Sequence, residues 1–368
     1  MSRPTKAIID LQALRHNFML AQSLAPQSKT IPMVKANAYG HGAIEVAGAL
    51  ADIAPAFGVA SIEEAVELRQ NGIEKPILLL EGTFSTDEVD LAAQYNFWLM
   101  VENRPQVEAI LNANLARKVN VWLGIDTGMH RLGFQPDEIQ TAYDDLCSSH
   151  NVSDEIVVTS HFACADDLDN QATLQQIKTF DLHLPATKNT LLTSLANSAA
   201  ILGWPQAHRD WQRPGYMLYG NSPFAQPQEN ADQLKPVMCL ESAIISVRAI
   251  SVGEPVGYTA NWTAERDSAI ATVTVGYGDG YPRQAPNGTP VLINGIRCPL
   301  VGRVSMDMIT VDVTDLNTVA IGDRAVLWGP ELPVNEIAEV CGTIGYELLT
   351  RMPARVQEFI ARDWNWMF

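Results

Sequence analysis

Short apolar runs alternate with longer amphipathic ones through the first two-thirds of the chain. Residues 30–34, 56–60, 76–80, 97–101, 119–125, 156–160 and 191–195 are short and apolar, the signature of buried strands. Between them, residues 62–69, 85–95, 105–112, 136–147 and 170–181 read as helices. Asn71 and Gly72 stop the first of these, and Ser85 is placed to cap the next. Strands and helices alternating in this way make parallel β/α units. Roughly seven or eight such units before residue 235 suit a closed (β/α)8 TIM-type barrel. The alternative is an open doubly wound sheet, which wants a Gly-rich phosphate turn after its first strand; no GxGxxG follows residues 30–34.

From residue 236 onward the texture changes. Strand-like runs at 243–250, 268–275, 290–293, 308–313 and 324–328 are separated by Gly, Pro, Asn and Asp turns, with little helical periodicity. The chain therefore divides into a barrel over residues 1–235 and a mostly antiparallel β domain over 236–368. A length of 368 residues also suggests about two domains.

Composition narrows the function classes. A hydrophobic content of 47% excludes extended disorder, and a net charge of −17 opposes nucleic acid or an anionic membrane as partner. The five cysteines are scattered with no CxxC pair, which fits reduced thiols in the cytoplasm rather than disulfides or zinc ligands. Residues 1–10 lack the apolar core of a signal peptide, and no stretch approaches a membrane span.

The candidate chemistry starts at Lys35, in Met33-Val34-Lys35-Ala36-Asn37-Ala38-Tyr39-Gly40-His41-Gly42. An ammonium at the end of a buried strand is costly, and burial lowers its pKa. The amine then becomes a nucleophile able to form a Schiff base with an aldehyde, unless the side chain simply snorkels out. Further polar residues follow successive strands: Arg131 after 119–125, His161 after 156–160, Asn197 and Ser198 after 191–195, and then Arg213 with Gly215 and Tyr216. Each alone has a structural explanation (an ion pair, a satisfied histidine, a helix cap). Their recurrence at strand C-termini, where barrels carry their chemistry, favours a site.

The Lys35 segment and the order of these residues resemble the alanine racemases, over nearly the whole chain. The resemblance implies that Lys35 carries pyridoxal 5'-phosphate (PLP) covalently. Tyr39, Ser198, Tyr346 and the amides of Gly215 and Tyr216 would hold its phosphate, Arg213 would face the pyridine nitrogen, and His161 would link Arg213 to a second base. That base would be Tyr258, in Val256-Gly257-Tyr258-Thr259, contributed by the second domain of a partner subunit in a homodimer. Arg131, Asp307 and the Met306 amide would take the substrate carboxylate, with Asp166, Tyr277, Arg283, Arg303 and Ile344 around the entrance. An arginine at the pyridine nitrogen cannot accept its proton, so a carbanion would be poorly delocalised, which suits racemisation over transamination. The implied activity is interconversion of L- and D-alanine, supplying D-alanine for peptidoglycan. A tyrosine-walled pocket at Tyr346 favours alanine over bulky side chains.

One position departs from the pattern. Many family members carry a carbamylated lysine where this chain has Gly124, and it buttresses the arginine corresponding to Arg131. A bound anion such as chloride, or water, is the expected replacement. Competing readings are a barrel-type PLP decarboxylase, a non-catalytic PLP carrier and a broad-specificity racemase. Arg213 argues against the first, residues 236–368 against the second, and Tyr346 against the third.

Overall fold

The computed structural model describes residues 3–187 and 191–361. The outermost residues of the two expected segments, 1–2 and 362–368, lie outside the described residues. Eight parallel strands form the barrel: Lys29–Thr30, Phe57–Val59, Ile77–Leu79, Phe97–Val101, Val119–Gly124, Val152–Thr159, Leu192–Ser194 and Trp211–Gln212. The last pairs with the first, and a parallel bridge from Met33 to Gly58 closes the ring. The first strand is shorter than its apolar run because Pro32 has no N–H to give the ladder, although the Ile31 and Met33 amides still reach Gln212 and Pro214.

Alternation along these strands explains why they read as continuous hydrophobic runs. Leu78, Met100, Trp122 and Val157 point into the barrel with Ile31, Met33, Ala56 and Trp211. Their neighbours Ile77, Leu79, Leu99, Val101, Val121, Leu123, Ile156 and Val158 join the layer beneath the helices. Trp98 and Trp122 each meet Trp211 edge-on with ring centroids 5.5 Å apart, filling the barrel interior below the C-terminal mouth. Trp122→Ala is expected to cost about 3–5 kcal/mol by leaving a cavity no neighbour can fill. A urea titration followed by circular dichroism checks this through a lower midpoint.

The helices fall where periodicity places them, at Ile62–Gln70, Asp87–Tyr95, Arg104–Asn112, Ile139–Ser148 and Ala172–Leu182. Ser85 is not the cap of the second. Thr86 precedes that helix without a side-chain bond, and Glu88 reaches back to accept the Phe84 amide at 2.8 Å.

The second sheet is built around the 13-residue strand Met238–Ile250. It pairs antiparallel with Ser268–Val273 and Arg324–Trp328, and the hairpin of Pro290–Ile293 and Ile296–Pro299 extends the sheet. Lys6–Asp10, on the barrel side of the expected boundary, also belongs here: it pairs antiparallel with Met238–Ile250 and parallel with Gln357–Ala361. Asp10 then accepts the Gln12 and Ala13 amides and starts the helix Leu11–Leu24. Two short helices, Val334–Val340 and Gly345–Thr350, pack against the barrel side without having shown a clear periodicity.

Candidate active site

The C-terminal ends of the barrel strands gather Lys35, Glu81, Glu102, Arg131, His161, Ser198 and Arg213. Lys35 does not simply end a strand. The four residues after it, Ala36, Asn37, Ala38 and Tyr39, all have φ between 52° and 54°, a full turn of left-handed helix without a glycine. Such backbone costs about 1–2 kcal/mol per residue and persists only where its surroundings fix it. Here Glu64 accepts the Ala36 amide at 2.7 Å and the Ala60 amide at 2.7 Å. Asn37 accepts the Ala43 amide at 2.8 Å and donates to Glu358 at 3.2 Å. The turn places the Tyr39 ring on Tyr219, with centroids 4.8 Å apart. Burial, then the charge of Arg131, lowers the Lys35 pKa, while Glu81 and Glu64 pull it back. The amine is thereby easier to deprotonate than a surface lysine.

A donor-lined cradle lies beside it. Asn197, not Ser198, caps the helix Ser198–Gly203 by accepting the Ala200 amide. This frees the Ser198 hydroxyl, which accepts the Gly215 amide at 2.9 Å and the Met217 amide at 3.2 Å. Its own O–H hydrogen is left to donate to a ligand. Gly215, expected to offer its amide to a phosphate, is therefore spoken for; its contribution is the missing side chain, since a Cβ there would lie 2.6 Å from the Tyr39 hydroxyl oxygen. Tyr216 opens the 3-10 turn Tyr216–Tyr219, so its amide has no partner within that turn. The Tyr216 ring stacks on Tyr346 with centroids 3.6 Å apart, and its hydroxyl donates to Asn335. Burial pushes the Tyr39 hydroxyl up to about 12, and that of Tyr346 higher, so both remain protonated donors.

Arg213 is fully buried across the mouth. Its Nη1 donates to Thr159 Oγ1 at 2.8 Å and to the Ser194 hydroxyl, and its Nη2 to the carbonyls of Ser160 at 2.6 Å and Leu195 at 3.3 Å. These bonds use the four hydrogens of the terminal nitrogens, leaving Nε–H as the donor for a ligand. Burial lowers the Arg213 pKa to about 10 and Glu102 raises it, so the group stays charged at neutral pH. Enclosure by the mouth, with the charges of Arg213, Arg131 and Lys35, drives the His161 pKa well below its usual value. His161 nonetheless keeps solvent contact. It makes no hydrogen bond to Arg213, so the link expected between them is electrostatic in this structure.

The remaining expected residues stand apart from this cluster. Tyr258 lies at the tip of the small hairpin of Pro255–Val256 and Trp262–Thr263, is 69% exposed, and has no hydroxyl partner among the described residues. Met306 and Ile344 are 53% and 61% exposed. Asp307 accepts from Arg355 at 2.7 Å rather than from any barrel side chain. The Met306 carbonyl accepts the Gly278 amide at 2.8 Å, tying the Met306 loop to the Tyr277 turn. Asp166, Tyr277 and Arg283 are exposed, and Arg303 is half-buried with its Nε unpartnered. Sequence reading missed Glu64, Glu102 and Asn335. Glu102 was findable as a carboxylate next to a strand end, whereas Glu64 lies in the first turn of the helix Ile62–Gln70 and Asn335 in a short helix without a periodic signal.

Comparison with known proteins identifies the family. The family described as the alanine racemase N-terminal domain matches residues 9–223, and the alanine racemase C-terminal domain matches residues 237–360. Alanine racemase of Stutzerimonas stutzeri is 51% identical over 356 residues, covering 96% of this chain and 98% of that one. The biosynthetic alanine racemase of Pseudomonas aeruginosa, a crystal structure, superposes with a TM-score of 0.93 at 49% identity, covering 98% of this chain and 99% of that one. Alanine racemase from Bartonella henselae, solved with covalently bound pyridoxal phosphate, superposes at 0.87 with 31% identity, covering 97% of this chain and 99% of that one. With both domains matched and half the residues shared along nearly its whole length, this chain belongs to the alanine racemase family.

Proposed function

We propose that this protein is a PLP-dependent isomerase that interconverts L- and D-alanine. The observation that carries the reading is the Lys35 amine, with its lowered pKa, held by a left-handed turn between a donor-lined cradle and the buried cation Arg213. The residues present fit the cofactor. A phosphate is matched by the free O–H of Ser198, the Tyr216 amide, the Tyr39 and Tyr346 hydroxyls and the close approach that Gly215 permits. Lys35 would hold the cofactor's aldehyde carbon, and Arg213, through its spare Nε–H, would partner the ring nitrogen.

When bound, PLP supplies the electron sink that makes the α-hydrogen of alanine acidic. The Lys35 amine would take or return that proton on one face. Tyr258 does so on the other face. Its exposure on the second domain and its lack of a hydroxyl partner among the described residues favour delivery into the barrel mouth of a second copy, so the working unit is a homodimer with shared sites. Arg131, Asp307 and the Met306 amide hold the carboxylate, and Tyr346 limits the side chain. We place the enzyme in the cytoplasm, supplying D-alanine for peptidoglycan, with alanine catabolism as the alternative: biosynthetic and catabolic Pseudomonas racemases are equally similar to this chain, at 48–49% identity.

The test is incubation of the PLP-loaded protein with L-alanine in D₂O. Appearance of D-alanine together with α-deuterium supports the reading; release of carbon dioxide would point to decarboxylation. Gly215→Ala is expected to weaken PLP binding, because its Cβ crowds the Tyr39 hydroxyl. Overpacking of this kind costs about 1–3 kcal/mol. That corresponds to a dissociation constant about 5- to 150-fold higher, measured by equilibrium dialysis.

A further inference from the structure

Glu102 follows directly on the strand Phe97–Val101, within the barrel mouth. Its side chain lies over Gly124: a Cβ built on that glycine would sit 3.0 Å from Glu102 Cγ and 3.2 Å from Glu102 Oε1. The room beside the end of the strand Val119–Gly124 is thus already taken by a carboxylate, and any larger residue at 124 would displace it. The Glu102 amide is fixed by Gln106 Oε1 at 2.8 Å, and Gln106 is held in turn by the Glu81 carbonyl at 2.9 Å. The carboxylate itself makes no hydrogen bond or ion pair among the described residues. Neither does the guanidinium of Arg131, at the other end of the loop that leaves the same strand end as Gly124. A largely buried anion and an exposed cation, each without a committed partner, thus share one rim of the mouth.

We propose that Glu102 is a positioning residue for substrate binding: from the space left by Gly124, its carboxylate is the counter-charge that holds Arg131 over the mouth for the carboxylate of alanine. This rests on the racemase reading. The electrostatics agree. Burial raises the Glu102 pKa to about 7, opposed by Arg131 and Arg213 and assisted by Glu81. Among the groups facing it, Arg213 stays charged and nearby His161 is held neutral, so neither masks a change of charge on Glu102 near neutrality. A raised carboxyl is protonated below its pKa, so the counter-charge is lost as pH falls through about 7.

The experiment uses the PLP-loaded enzyme and its Glu102→Gln and Glu102→Ala variants. Expected for wild type is a KM for alanine that rises below pH 7; expected for Glu102→Gln are a KM at least tenfold higher at pH 8, kcat within threefold of wild type, and loss of that rise. Calorimetric binding of propionate, which carries the carboxylate but cannot react, is expected to weaken in parallel. Formate or chloride is expected to restore part of the KM in Glu102→Ala by refilling the anion position. An unchanged KM and propionate affinity overturn the proposal, as does a fall in kcat alone, which would put Glu102 in service of Arg213 instead. If Gln proves unstable by thermal melting, Glu102→Asp with a partial KM shift serves in its place, and no shift there overturns it equally. Wild type that fails to racemise alanine defeats the racemase reading itself, a result separate from any change between variants.

Discussion

Lys35→Ala is expected to remove turnover by more than about 10⁴-fold, beyond the usual range for losing one general acid–base group. Two roles would disappear together, since the proposed mechanism gives the same amine both the cofactor and the proton on one face. The surrounding fold should survive. The left-handed turn is held by backbone bonds to Glu64 and by the Asn37 side chain, none of which involves the Lys35 amine. Circular dichroism should therefore match wild type, while the visible absorbance of covalently held PLP is lost and racemisation falls to background. Retention of that absorbance in Lys35→Ala would show that another amine carries the cofactor.

Tyr258→Phe is expected to lower racemisation about 10²–10⁴-fold in both directions, because inversion needs a proton donor and acceptor on each face. Exchange of the α-hydrogen with solvent should survive for the enantiomer whose hydrogen faces Lys35 and vanish for the other. Proton NMR of L- and of D-alanine in D₂O measures the two separately. Mixing this variant with Lys35→Ala sharpens the result. If Tyr258 works in the partner's site, a mixed dimer of the two dead chains contains one site with both bases intact. Random reassortment then restores about a quarter of wild-type activity, from half the dimers carrying one good site of two. No recovery after verified subunit exchange would place Tyr258 in its own chain's site or outside the chemistry.

Much of the architecture was readable before the structure because two periodicities do not overlap. The inward residues Leu78, Met100, Trp122 and Val157 alternate with outward ones that are equally apolar, and such short saturated runs separated by amphipathic helices leave few folds open. The residues at the strand ends were readable for the same reason, since barrel strands deliver their polar termini to one face. What escaped was conformation that side-chain chemistry does not announce. Ala36 and Ala38 are ordinary helix formers, and nothing local tells them to adopt positive φ; Glu64, 28 residues downstream of Ala36, does. Ser198 was legible as a polar residue at a helix start, but Asn197 wins the cap because its amide oxygen reaches the Ala200 amide, releasing the serine for the cradle. The pairing of Lys6–Asp10 was hidden because an amphipathic pentapeptide carries no mark of which distant strand it will join. Glu102 was overlooked because its importance depends on a residue that is absent, the side chain Gly124 does not have.

The pairing of Lys6–Asp10 with Gln357–Ala361 also has a consequence for how the enzyme is made. The barrel can begin to assemble while the ribosome is still working, but the first strand must wait for its last neighbour. At translation rates of about 5–20 residues per second, that interval is roughly 18–70 seconds. Through it, the edge of Lys6–Asp10 stays open to strands of other nascent chains. Truncation near residue 355 would leave that edge exposed permanently, so loss of the last strand should appear as aggregation during expression rather than as a slower enzyme.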